Sequence, residues 1–374
     1  MRVGIDARFY GTAGKGLGRY TQKLIENLER IDGRNQYFVF LKKENFGEYQ
    51  PKNKNFKKVL ADYRWYTFSE QINMPRILNK YNLDLVHFPH FNVPLSYHGK
   101  FVITIHDLIL IHFPTVRGTT LNPFFYWIKF LAYKIVIWSA IKKAKKIITV
   151  SGFTKDDILK NYKVPENKIK VTYEACDNFR AMAAINSEEA PRRYGLTKPY
   201  ILYVGNAYPH KNLERLILAF KEVNKIKKDL KLVLAGKEDY FYHRLKKMTE
   251  KKNIKNVIFA GFVSDRDLSL VYRQASLYVF PSLYEGFGLP PLEAMAEGTP
   301  VISSDHQCMR EVLKDSAYYF NGKKTDEIAK AIVRLLDDKK LRKKIITKGY
   351  KRIRKYSWKK MAGETLDVYY HSTI

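Results

Sequence analysis

Apolar residues along this chain fall into two rhythms that take turns. Short unbroken runs, among them Phe101 to Ile105, Ile147 to Val150, Tyr200 to Val204 and Leu277 to Phe280, have the form of strands buried on both faces. Similar runs are predicted at Met1 to Asp6, Gln36 to Leu41, Lys58 to Ala61, Leu83 to Phe88, Leu232 to Gly236, Val257 to Gly261 and Val301 to Asp305. Between them lie stretches with helical spacing: Thr21 to Leu28, the piece around Ser69 to Ile72, the helix opening at Leu213, Asp326 to Asp337 and Lys339 to Tyr356. Strand and helix alternate through both halves, which predicts α/β class with parallel sheets. At 374 residues the chain is too long for one core. Two doubly wound, Rossmann-like domains are expected, residues 1–180 and 198–356, with the polar stretch Asn178 to Thr197 as linker. A final helical segment takes up 357–374.

Charge narrows the partners. The formal net charge is +30 and the hydrophobic fraction 45%, so an anionic partner is implied: nucleic acid, anionic lipid or a phosphorylated substrate. The lysines are spread, without a nucleic-acid recognition module, and nucleic acid is the least favoured of the three. A lysine-rich solvated surface would give the same total. The segment Asn122 to Lys146 mixes Phe124, Phe125, Trp127, Phe130 and Trp138 with Lys129, Lys134 and two lysine pairs. It reads either as a core helix with a wet end or as a peripheral contact with an anionic membrane surface. No leader is expected before Met1, and no run of about 18 uncharged apolar residues that could span a bilayer. Cys176 and Cys308 fall in different predicted domains, which fits a reducing, cytoplasmic setting.

Candidate chemistry gathers after the strand at Leu277 to Phe280. Glu285 and Glu293 stand eight residues apart, one in a glycine loop and one expected in the first turn of the helix after Pro290-Pro291. Carboxylates suit vicinal hydroxyls, while Gly286 and Gly288 let backbone N–H groups of Gly286, Phe287, Gly288 and Leu289 approach an anion at a helix N-terminus. Either glutamate alone could be a plain helix or turn charge. Gly205 and Asn206 begin a turn after the strand at Tyr200, and Lys211 closes it, placing a point charge where a diphosphate could sit. In the other half, Gly16 and Gly18 lie between the first strand and first helix, and His106 ends the strand at Phe101. Asp265-Arg266-Asp267 resembles a metal motif but reads better as a helix start capped by Ser264. His87, His90 and His98 lack metal-ligand spacing, so no metal and no cofactor is expected.

These residues resemble the retaining glycosyltransferases of family four. Glu285 through Glu293 matches their E-x7-E signature, Gly16-Leu17-Gly18-Arg19-Tyr20 their glycine loop, His106 a histidine beside the donor sugar, and Ser151-Gly152-Phe153-Thr154 their serine turn, with Thr154 as expected cap. Lys211 matches a diphosphate-binding lysine, whereas Asn206 stands where the family usually has arginine. The segment holding Glu70, Gln71, Asp84, His87, Pro89 and Pro94 is similar to a branch of mannosyltransferases that build bacterial surface polysaccharides. The resemblance implies two GT-B domains facing a cleft, the second holding a nucleotide-sugar donor and the first a glycan or lipid-linked acceptor, with the last helix crossing back to the first. It implies transfer of a hexose, mannose by the branch and GDP-mannose as donor, with retention by either a front-side or a covalent route. In it Glu285 binds sugar hydroxyls, Glu293 the ribose, and Lys211 with the Gly286 to Leu289 backbone the diphosphate. Work in the cytoplasm, or on the inner face of the membrane, follows. Competing readings are a glycogen-type synthase or a nucleotide-sugar epimerase on the same architecture, and a non-enzymatic cationic nucleic-acid-binding protein.

Overall fold

The computed structural model describes residues 1–11, 15–114, 122–176 and 189–373. In chain order the first part runs β1 (Arg2–Asp6), α1 (Lys15–Ile31), β2 (Gln36–Leu41), β3 (Phe56–Leu60), α2 (Phe68–Asn79), β4 (Leu85–Phe88) and β5 (Phe101–Ile105). It continues through α3 (Ile109–His112), α4 (Pro123–Lys143), β6 (Lys146–Thr149), α5 (Gly152–Asn161) and β7 (Ile169–Val171). The second part opens with α6 (Glu189–Arg193), β8 (Tyr200–Val204), α7 (Leu213–Ile226), β9 (Lys231–Ala235), α8 (Tyr240–Lys251), β10 (Val257–Gly261) and α9 (Asp265–Gln274). Then come β11 (Leu277–Phe280), α10 (Leu289–Ala296), β12 (Val301–Ser304), α11 (Gln307–Leu313), β13 (Tyr318–Phe320), α12 (Thr325–Asp337), α13 (Lys339–Ile353) and α14 (Trp358–Thr373).

Two compact units result. One comprises Met1–His112, Leu121–Glu174 and Ser357–Ile374; the other Phe113–Thr120 and Ala175–Tyr356. The first has a seven-stranded sheet in the order β3-β2-β1-β4-β5-β6-β7, the second a six-stranded sheet in the order β10-β9-β8-β11-β12-β13. Every pairing is parallel. Strand order reverses between β1 and β4 in one sheet and between β8 and β11 in the other, and an open parallel sheet takes ligands at the carboxyl ends of such strands. The central strands β4, β5, β11 and β12 are buried at every residue, which explains their unbroken apolar runs. Helix α14 packs on α1 in the first unit, where Tyr369 on α14 hydrogen-bonds His87 Nδ1 through its hydroxyl at 2.7 Å.

Several local expectations change. Gly16 and Gly18 are helical rather than part of a loop, because α1 begins at Lys15. A Cβ on Gly18 would sit 2.1 Å from the Gly11 carbonyl oxygen and 2.5 Å from that of Phe9, so the glycine lets the chain after β1 cross the first turn of α1. The rest of that glycine stretch, 12–14, lies outside the described residues, as does the start of the expected linker, up to 188. Helix α10 begins three residues early at Leu289, with both prolines inside its first turn, where no intrahelical N–H is needed. Glu293 therefore stands in the second turn and not the first. Ser151, not Thr154, caps α5, accepting from the Thr154 N–H. As expected, Ser264 caps α9, accepting from the Asp267 N–H at 3.3 Å. Finally, Phe124–Lys143 within α4 is long and apolar enough to meet the composition of a membrane span, against the expectation that the chain holds none. Its lysines are too few and too widely spaced to prevent that.

Candidate functional site

In the second unit, the turn after β8 and the loop after β11 meet at the point where strand order reverses. Three hydrogen bonds tie them and their surroundings together. The Leu283 N–H donates to the His210 carbonyl at 2.8 Å, Asn212 Nδ2 donates to the Pro281 carbonyl at 3.1 Å, and Ser304 Oγ, at the end of β12, donates to the Ser282 carbonyl at 2.5 Å. Asn212 also donates to the Gly322 carbonyl at 2.7 Å and adopts the left-handed conformation that starts α7.

This stitching brings Lys211 Nζ to 2.6 Å from Glu285 Oε1. Both side chains are largely shielded from water, at 15% and 9% exposure. Burial pushes the Glu285 carboxyl up, but the charge of Lys211 and its hydrogen bond reverse this, and the pKa is held below the usual carboxylate range. Glu285 is therefore an ionised, acceptor-only group. The imidazole of His210 is pushed down to about 4, first by burial and then by the Lys211 charge, which keeps it neutral beside the pair.

The glycine loop completes this side of the unit. Gly288 caps α10 with φ at +88°, a backbone conformation that strains any residue with a side chain, and a Cβ there would also press on Met309 Cε at 2.8 Å. The Phe287 side chain is buried, 5.4 Å from the Tyr356 ring. At the other turn, the Tyr242 hydroxyl donates to the Gly205 carbonyl at 2.7 Å, and the Tyr203 hydroxyl to the Asn206 carbonyl at 2.7 Å. Glu293 belongs to the same unit but is buried in α10, where the Tyr272 hydroxyl donates to its Oε2 at 3.0 Å. Tyr272 was invisible in the sequence, since nothing in the spacing of α9 marks it.

The first unit gathers a different set. His106 follows β5, with Nδ1 3.2 Å from Glu174 Oε1 and Nε2 3.1 Å from the Pro89 carbonyl oxygen. Its ring meets the Tyr20 ring edge-on at 4.7 Å, which links it to the helix carrying Gly16 and Gly18. Behind it, His87 Nε2 and the Tyr20 hydroxyl share Thr104 Oγ1 at 2.8 Å and 3.0 Å. Beside the strand reversal, Arg8 is fully buried and bonded to Asp6 at 2.7 Å and Glu70 at 2.6 Å. Asn92 Nδ2 donates to the same Glu70 oxygen at 2.7 Å. Asp6 and Arg8 stand two apart in the sequence, the one available hint of this cluster. Among the described residues no three His, Cys, Asp or Glu side chains gather as metal ligands. Asp267 of the D-x-D triplet is engaged by Arg193 and the Tyr194 hydroxyl, each at 2.8 Å.

Comparison with known proteins matches both halves. Residues 14–178 match the model of Glycosyltransferase Family 4, and residues 186–352 that of Glycosyl transferases group 1. The chain is 32% identical over 261 residues to the O-antigen chain mannosyltransferase RfbU of Salmonella typhimurium, covering 69% of this chain and 66% of that one. It is 26% identical over 377 residues to the O-antigen chain mannosyltransferase B of Escherichia coli, covering 95% of both. Among solved structures, a sucrose-phosphate synthase from Thermosynechococcus elongatus superposes with a TM-score of 0.77 over 99% of this chain and 98% of that one, at 18% identity. That last likeness speaks to the fold, two parallel-sheet α/β domains of GT-B type.

Proposed function

We propose that this chain, which belongs to the family 4 glycosyltransferases, moves mannose from a nucleoside-diphosphate sugar to a hydroxyl of a glycan or lipid-linked acceptor, with retention at the anomeric carbon. The observation that carries the donor side is the buried Lys211–Glu285 pair at the strand reversal of the second unit. A diphosphate drawn to the Lys211 ammonium and to the N-terminal end of α10 would leave the ionised Glu285 carboxylate to accept from sugar hydroxyls. Asn206, in place of an arginine, would add a neutral amide donor. Glu293, oriented by Tyr272, would take the ribose diol. Charge builds on the departing phosphate, so donors already in place there favour the transition state more than the bound substrate. His106, fixed by Glu174 and Pro89, would set the position of the sugar ring.

The names of the relatives support mannose as the sugar and a surface polysaccharide as the product class. We place the work in the cytoplasm, at the membrane that would carry a lipid-linked acceptor, with no resident metal or cofactor. A thermal-shift screen against GDP-, UDP- and ADP-sugars tests the reading. GDP-mannose at 100 times its Kd should stabilise by about 2.7 kcal/mol. No shift with any of the three sugars would overturn the donor assignment, and a larger shift with a UDP- or ADP-sugar would replace mannose and its base.

A further inference from the structure

We propose that α4 of the first unit is a docking surface for an anionic lipid bilayer, lying on the membrane rather than crossing it. The helix carries two apolar stripes where a core helix needs one. Tyr126, Phe130, Tyr133, Ile137, Ile141 and Ala144 follow one another at intervals of three or four, and the later members pack into the core of the unit. Phe124, Ile128, Leu131, Ile135 and Trp138 repeat the same intervals two residues out of step. Two residues turn a helix by about 200°, so this second stripe faces directly away from the core. Its members are between 49% and 68% exposed, and Trp127 beside them is 51% exposed. The stripe runs for about 21 Å along the helix, a contiguous line of large exposed apolar side chains of the kind that marks a protein or membrane contact.

Charge selects the partner. From Leu108 to Lys155 the sequence has no aspartate or glutamate. Lys129 and Lys134 flank the stripe and Lys142 and Lys143 end it, all exposed. The ammonium groups of Lys134 and Lys142 lie over the Phe130 and Trp138 rings at 5.5 Å and 4.8 Å, with apolar stems against the aromatic surface and charge outward. A second copy docking through the same face would set these lysines against each other, since a two-fold contact pairs a patch with itself. An anionic lipid surface meets both features at once: headgroups take the lysines, and the acyl boundary takes the aromatic and aliphatic side chains. Crossing the bilayer would tear Ile137, Ile141 and Ala144 out of the core that buries them.

Vesicle flotation of the full chain tests this. Wild-type protein should float with phosphatidylcholine vesicles containing phosphatidylglycerol, and much less with phosphatidylcholine alone or at high salt. Phe124→Ser/Leu131→Ser/Ile135→Ser should lower partitioning by roughly 1,000-fold, since each side chain removed from water is worth about tenfold. Lys129→Glu/Lys134→Glu should lower it by roughly 25-fold, about fivefold for each lysine. All the substituted side chains are exposed, so unchanged melting temperatures show that the fold survives. No flotation of the wild type, or flotation that ignores both variants, overturns the proposal. So does a wild-type dimer in sedimentation that the serine variant dissolves, which would give the face to a second copy. GDP-mannose hydrolysis without acceptor should be the same in all three proteins. Its absence from all three would count against the donor reading alone, because flotation does not depend on it.

Discussion

Lys211 and Glu285 are so placed that neither can be changed without altering the other. Removing the ammonium leaves a carboxylate where burial favours the protonated acid, and breaking such a pair costs about 3–5 kcal/mol. Lys211→Ala should destabilise the second unit by that amount. If the lysine also steadies the departing diphosphate, kcat should fall roughly 10²-fold to 10³-fold. Lys211→Met/Glu285→Gln separates the two effects. Two neutral side chains should restore much of the stability in urea melts, while initial rates stay low; recovered turnover would assign the pair to folding alone. Buried histidines, one in each unit, add a dependence on pH. His210 is pushed down to about 4 and the buried His87 to about 3, from an ordinary value of 6.5. As pH falls below 6.5 the unfolded chain binds protons that the folded chain refuses. Their contribution is therefore complete above about pH 6.5 and shrinks by about 1.4 kcal/mol per pH unit per histidine until the folded value is reached. Glu285 acts in the same direction in a lower window, its share present above 4.5 and lost as pH falls through its depressed value. Denaturant melts between about pH 7 and 4.5 should show this slope, and His210→Phe should flatten it; an unchanged slope would mean that His210 is protonated in the folded protein.

Helix α1 offers a matched pair of glycines at the scale of an element. Gly18 is required by packing, for its Cβ would strike the Gly11 carbonyl, and Gly18→Ala should cost about 1–3 kcal/mol. Nothing lies within 4 Å of a Cβ on Gly16, and its backbone is helical. Gly16→Ala should therefore raise the melting temperature, by up to about 1 kcal/mol of stability. If a ligand presses on this turn, the same change should lower activity, and a variant both more stable and fully active would remove Gly16 from the site. The pair also shows why sequence reading failed here: glycines near a helix start look like a loop until one knows which backbone crosses them. Strands β2, β5, β8 and β11 were legible to the residue because burial on both faces writes an apolar run directly into the chain, and β10, only half-buried, was legible from its apolar run alone. β7 and β13, three residues each, are too short to show any rhythm. Lys211 and Glu285 could be found because each follows a legible strand. The Arg8–Glu70 pair could not, since its members stand 62 residues apart and only the fold joins them. In α4 the two opposed stripes cancelled into an ambiguous apolar helix, and burial was needed to tell inner from outer.

Taken whole, the molecule is threaded so that its last helix completes its first unit. The chain leaves that unit at Glu174 and returns at Ser357. On α14, Met361, Ala362, Val368 and Tyr369 are buried, Tyr369 reaches His87, Tyr370 accepts from Asn35 Nδ2 at 3.0 Å, and the Thr373 carbonyl accepts from Lys100 at 2.7 Å. A chain ended at Tyr356 would strip that cover from α1 and leave His87 Nδ1 without its hydroxyl. Burying one large apolar side chain is worth about 1.5–3 kcal/mol, so losing Met361, Val368 and Tyr369 together should cost at least about 5 kcal/mol, enough to unfold a marginal unit. The second unit keeps its six strands and its own core. Calorimetry of the truncated protein should then show the second unit melting as before and the first melting far lower or not cooperatively. Titration with GDP-mannose discriminates further. If the second unit holds the donor, binding should persist in the truncated chain while transfer disappears. Loss of binding together with an intact second-unit transition would mean that the donor needs groups from the first unit, and would move His106 from positioning the sugar to holding it.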